Sequence, residues 1–199
     1  MKKTKLPKIV FRYSWIYDDL RRRKAMPDFK YPEIKEIKKF TWGFEKYWRL
    51  REKKVLLAIS QIFDLSWAEA EILVYVVGGG LSYSDPLTVS LRGGHQYFFN
   101  TIVHELIHRF LAVRTGDQEV SHVIKKWEKK YQTETITTKN HIIIYATLAK
   151  LHELLPELFG DKKERPGNSF SPEYVRAKEI AVELGYDNVL QQFKKQYQK

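Results

Sequence analysis

Between Phe99 and Val113 the apolar residues recur at intervals of three and four: Phe99, Ile102, Val103, Leu106, Phe110 and Val113. That period fits a helix with one core-facing stripe and leaves no room for a strand. Gly93 and Gly94 punctuate before the segment, and Thr115, Gly116 and Asp117 close it. Thr101, His104, Glu105 and His108 avoid the stripe and group beside it. Helical positions four apart share a face, so His104 and His108 point the same way. Two imidazoles one turn apart can hold one Zn²⁺ at about 2.0–2.1 Å. Glu105 can then take a proton from a water beside the ion. The competing reading is an ordinary helix with hydrogen-bonded or surface histidines. A metal site without catalysis is the third reading, and Glu105 argues against it.

Composition narrows the chemistry. The 199 residues include no cysteine, which excludes disulfides and thiolate-held zinc, so a metal must be held by histidine and carboxylate. No apolar run approaches the roughly eighteen residues of a membrane span. Met1 to Pro7 carries charge without a following apolar stretch, unlike a secretory signal, and a cytoplasmic location is the expectation. The net charge of +11 is unevenly placed: residues 1–54 hold eighteen Lys and Arg against seven Asp and Glu, while residues 55–199 hold seventeen of each. A nucleic-acid partner, or another anionic surface, is the functional expectation for that third; a solvated face is the plain one. Aromatic residues interleave with the charges there (Phe11, Tyr13, Trp15, Tyr17, Phe40, Trp42, Tyr47, Trp48), as stacking needs, yet aromatics at helical spacing more often form a core.

Along the chain, residues 1–12 read as a basic lead-in without regular structure. Residues 14–25 form a short helix ending in Arg21, Arg22, Arg23 and Lys24. Residues 32–63 follow a helical period, with Gly43 marking a break. Glu71 to Val77 reads as a strand ended by three glycines, and Pro86 to Arg92, with Leu87 to Leu91 alternating apolar and polar, as a second, half-exposed strand. Beyond the motif, residues 117–131 form a charged helix, residues 132–138 are non-helical, and Asn140 caps a buried apolar helix over 141–155. Residues 161–168 form a loop, and Ser171 opens a final helical pair divided at Gly185.

A helix, strands, and then a helix carrying His-Glu-Leu-Ile-His at 104–108 resemble the catalytic core of zincin metallopeptidases over about residues 56–155. The resemblance implies an α+β fold, mainly helical, with a small sheet whose edge strand lies over the cleft beside the motif helix. It also implies peptide hydrolysis, with His104 and His108 as zinc ligands and Glu105 as general base. Leu111 and Arg114 stand where the metzincin branch has Gly and a third His, so the chain looks more like gluzincin-type or SprT-like peptidases. A peptide or protein substrate would add to Leu87–Leu91 as an extended strand.

The third ligand is open on sequence alone. His141, at the start of the apolar helix, is the first choice, against a histidine satisfied by a cap hydrogen bond. Tyr145 lies one turn on and can donate to a developing oxyanion, or sit in the core. Glu119 is second, and His122 and Glu153 are outsiders. His95 reads as a loop residue at the cleft rim. The expected organisation is a basic helical extension over 1–55, a catalytic core over 56–160 and a C-terminal helical segment over 161–199.

Overall fold

The computed structural model describes residues 5–26, 28–112, 125–159 and 171–195, and these form an α+β fold in which helices surround one small mixed sheet. The sheet contains β1 (Lys8–Arg12), β2 (Glu71–Val77), β3 (Tyr83–Ser84) and β4 (Leu87–Ser90), in the order β1-β2-β4-β3. β1 runs parallel to β2 with Ile9 opposite Ile72, and β2 parallel to β4 with Val76 opposite Val89. β3 turns back antiparallel to β4, Tyr83 facing Thr88.

Two expectations fail here. Residues 8–12 form a strand, not an unstructured lead-in. Their five residues are too short and too charged to announce themselves, and only the distant β2 supplies their hydrogen bonds and buries Ile9. Leu87–Ser90 is neither half-exposed nor the edge: β4 lies between β2 and β3, and all four residues are buried. The alternation of Leu87, Thr88, Val89 and Ser90 marks two covered faces, one apolar and one taking a short polar network, in which the Tyr17 and Thr88 hydroxyls meet at 2.9 Å.

The helices are α1 (Trp15–Arg23), α2 (Ile34–Arg49), α3 (Glu52–Phe63), α4 (His95–Ala112), α5 (helical over 125–130), α6 (Ile136–Leu154), α7 (Pro156–Phe159), α8 (Pro172–Leu184) and α9 (Tyr186–Lys194). Ser14 caps α1 through its side chain, and Glu33 and Glu36 form a capping box on α2. The break in the long helical pattern falls at Leu50–Arg51, not at Gly43, which stays inside α2 and packs against the His95 ring. α6 begins five residues earlier than expected: Thr135 accepts from the Thr138 amide and caps it, so Asn140 lies inside the helix.

The motif stripe packs as its spacing requires. Phe99, Ile102, Val103 and Leu106 are wholly buried and Phe110 nearly so, while Val113 lies outside the described residues. Each such side chain contributes about 1.5–3 kcal/mol on leaving water. Across from the stripe stand Phe44 and Trp48 of α2, with Phe44–Phe98 ring centroids 4.7 Å apart and Trp48–Phe99 5.8 Å apart. The basic N-terminal third therefore supplies a sheet strand and part of the core on which the motif helix rests. On the other side Ile142 and Ile144 of α6 join the same cluster, with α8 and α9 packed on that helix.

Candidate metal centre

α4 puts His104 and His108 one turn apart, with their Nε2 atoms 3.1 Å from each other. α6 brings His141 to the same point, its Nε2 3.1 Å from that of His108. The three form a group whose ligand atoms lie within 4.8 Å of one another, the arrangement that can hold a metal ion. The His141 Nδ1–H donates to the Thr137 carbonyl at 2.7 Å, which leaves its Nε2 lone pair facing the other two rings. His104 Nδ1 is buried without a partner among the described residues.

Burial decides the protonation state. It pushes His104 down to about 3, with the neighbouring His141 adding to the shift. His108 is held well below the ordinary histidine range by burial and then by its two neighbours. His141 is lowered by burial, opposed by the hydrogen bond to Thr137. All three imidazoles are neutral at pH 7, the state in which they ligate.

Glu105, the residue after His104, lines a cleft of about 180 Å³ together with it. Burial raises its carboxyl to about 7. Tyr174, in the first turn of α8, lines the same cleft, and its ring centroid is 4.2 Å from that of His141. Burial and the Glu105 charge raise the Tyr174 hydroxyl. Tyr145, expected to face the site, lies one turn along from His141 with ring centroids 6.3 Å apart, packed against the core and pushed up to about 12 by burial. Of the two tyrosines, Tyr174 is the one in the cleft wall. No spacing rule links residue 174 to residues 104–108, because α4 and α8 come to one cleft only in the folded chain.

The turn at Gly80, Leu81 and Ser82 forms another part of the wall. It is clamped by the N-terminal third. Asp18, 1% exposed, accepts from the Gly78 amide at 2.7 Å and the Tyr31 hydroxyl at 2.6 Å. A Cβ on Gly78 would collide with the Tyr31 ring, and Gly80 has φ +93 beneath the Arg21 guanidinium. Arg21 in turn donates to the Leu81 carbonyl. The three glycines are what let aromatic and cationic side chains lie directly on this turn.

The remaining expected residues fall elsewhere. His95 opens α4 and packs among Phe40, Phe44 and Tyr47, so it belongs to the core margin and not to the cleft rim. His152 lies against Phe159, and exposed Glu153 pairs with Lys150 at 2.9 Å, so neither joins the three histidines. Glu119 and His122 lie outside the described residues.

Among the described residues no helix is long and apolar enough to cross a membrane. Comparison of the chain with protein-family models, curated proteins and solved structures gives no match.

Proposed function

We propose that the protein is a zinc-dependent metallopeptidase. The observation that carries this reading is the convergence of the His104, His108 and His141 Nε2 atoms, with Glu105 and His104 lining one cleft. Three nitrogens at about 2.0–2.1 Å from a tetrahedral ion stand roughly 3.3 Å from one another. The spacings of 3.1 Å fit that geometry. The donor set fits as well: three neutral imidazoles leave one position open, the pattern of a catalytic zinc site. Cytoplasmic placement of this activity rests on the cysteine-free composition.

When bound, zinc supplies a Lewis acid that polarises the scissile carbonyl and makes a nearby water more acidic. The chain's own residues do the rest. Glu105, poised near neutrality by burial, accepts a proton from the attacking water and passes it to the departing amine. The Tyr174 hydroxyl stays protonated and donates towards oxygen charge developing in the cleft, the role expected of Tyr145. Substrate backbone lies along the Gly80–Ser82 wall outside β4.

Metal analysis with peptide hydrolysis tests the reading. The purified protein should hold about one zinc per chain, His104→Ala and His141→Ala should lose it, and Glu105→Gln should keep it while losing hydrolysis. A protein that takes up no zinc, or a Glu105→Gln variant as active as the parent, sinks the proposal.

A second reading, in which the chain binds nucleic acid, concerns the exposed face of α2. Lys35, Lys38, Lys39, Trp42 and Lys46 recur there at helical spacing, and Trp42 is 65% exposed with the Lys46 ammonium 3.5 Å above its ring. Phosphates would meet the lysines and a base would stack on Trp42. Affinity for single-stranded DNA should fall steeply with salt and drop again in Trp42→Ala. Binding that ignores salt removes this reading and leaves the peptidase untouched.

A further inference from the structure

Arg92 brings a second chemistry into the cleft. It stands two residues beyond β4 and lines the same cleft as His104 and Glu105. It is exposed, and among the described residues it has no ion pair or hydrogen bond. Arg49 and Arg109, in contrast, are each held by two carboxylates. The turn that carries Arg92 is set firmly: Gly93 has φ +62, and a Cβ there would come within 2.9 Å of Tyr97 Cβ. Arg92 lines the cleft together with Tyr97 and Thr101 of α4. Glu105 is the only carboxylate among the described residues lining that cleft.

Tyr97, Thr101 and His104 follow one face of α4 along the cleft. The seven helical rises from Tyr97 to His104 span about 10 Å. An extended peptide covers that length in about three residues. A guanidinium is a rigid fork of donors that matches a carboxylate with two parallel hydrogen bonds.

We propose that Arg92 is a binding subsite for a substrate carboxylate, so that preferred peptides carry an Asp or Glu side chain, or a free C-terminus, within about three residues of the scissile bond. The proposal rests on the peptidase reading for its substrate. Acidic peptides approaching a chain of net charge +11 suit the same polarity.

The test uses the zinc-loaded full chain and matched peptides. One series places Glu or Gln at each position around the cleaved bond, and another compares a free C-terminus with its amide, which separates the two carboxylate sources. The carboxylate forms should show kcat/KM at least 10-fold higher, carried by KM. Arg92→Ala should bring the paired peptides within about two-fold, Arg92→Lys should keep part of the preference, and Arg92→Glu should reverse it towards Lys-bearing peptides. Binding of the monohydroxamate of glutaric acid against its uncharged glutaramide counterpart gives a readout without turnover. Wild type should bind the acid at least 10-fold more tightly, and Arg92→Ala should equalise the pair. Equal affinity in wild type, or a preference unchanged in Arg92→Ala, overturns the subsite. A preserved binding preference with no peptide cleaved sinks the peptidase reading and keeps the subsite; a chain that binds no zinc removes both.

Discussion

Arg109 and Glu69 are joined by two parallel hydrogen bonds of 2.8 and 2.7 Å, and Arg109 is the residue after His108. The same guanidinium donates to the Ser84 carbonyl and to Asp85, both at 3.0 Å. One side chain thus ties the motif helix to the outer strand β3. Arg109 and Glu69 are largely buried, at 17% and 22% side-chain exposure, so the pair escapes most of the solvent screening that weakens surface ion pairs. Arg109→Ala should cost about 1–3 kcal/mol, since Glu69 loses its partners. Arg109→Lys should recover only part, because an ammonium cannot reproduce the fork. Urea unfolding gives the first number; a KM that rises while zinc content holds shows that β3, and not the metal site, has moved.

Glu105 yields a prediction in which stability and activity move in opposite directions. Burial raises its carboxyl from the ordinary 4.5 to about 7. Between those values the folded chain holds a proton that the unfolded chain has released, so stability falls as pH rises through the window. Above pH 7 the buried charge is a standing cost. In metal-free protein at pH 8, Glu105→Gln should therefore be more stable than the parent by roughly 1–3 kcal/mol, with the gain vanishing below pH 4.5. Hydrolysis by the zinc-loaded variant should fall about 10²–10⁴-fold. Thermal melts at pH 4 and 8, with one peptide assay, check both.

The three histidines set the acid limb. Their folded values lie below the ordinary 6.5, so on acidification the unfolded chain takes up protons first. Stability of the metal-free protein should drop as pH falls from 6.5 towards 3, by up to about 1.4 kcal/mol per pH unit for His104 alone. His104→Gln should flatten that limb. Zinc at about a thousand times its Kd should add roughly 4 kcal/mol at pH 7. Removing it with a chelator should then lower Tm by about 8–16 °C for a chain of this size.

Gly78 tests the clamp on the cleft wall. A Cβ there overlaps the Tyr31 ring, and Tyr31 is fixed by its bond to buried Asp18. Gly78→Ala should cost about 1–3 kcal/mol through overpacking. The cost should shrink in a Tyr31→Ala background, where the obstructing ring is absent. A double-mutant cycle in urea measures that coupling, and additive losses would mean that the ring does not constrain the turn.

Much of the fold was legible because its signals are local. The stripe at Phe99, Ile102, Val103, Leu106 and Phe110 specified α4, Ser14 and Gly185 marked helix ends, and Gly78 ended β2. β1 was not legible, because a five-residue parallel strand takes its hydrogen bonds from residues more than sixty positions away. The start of α6 was misplaced because Thr135 and Asn140 are both good caps, and only the folded chain shows that the Thr135 hydroxyl takes the role, accepting from the Thr138 amide.

The sequence by itself determined the candidate half-site: helical periodicity places His104, Glu105 and His108 on one flank, whatever surrounds them. It narrowed the third ligand without choosing it. Tertiary structure alone brought His141 to 3.1 Å from His108, put Tyr174 into the cleft wall, and placed Arg92, without an ion pair or hydrogen bond among the described residues, in the same lining. The reason is geometric. A turn of helix fixes neighbours four residues apart through the backbone, whereas residues 108, 141 and 174 meet only once α4, α6 and α8 have packed their apolar faces together.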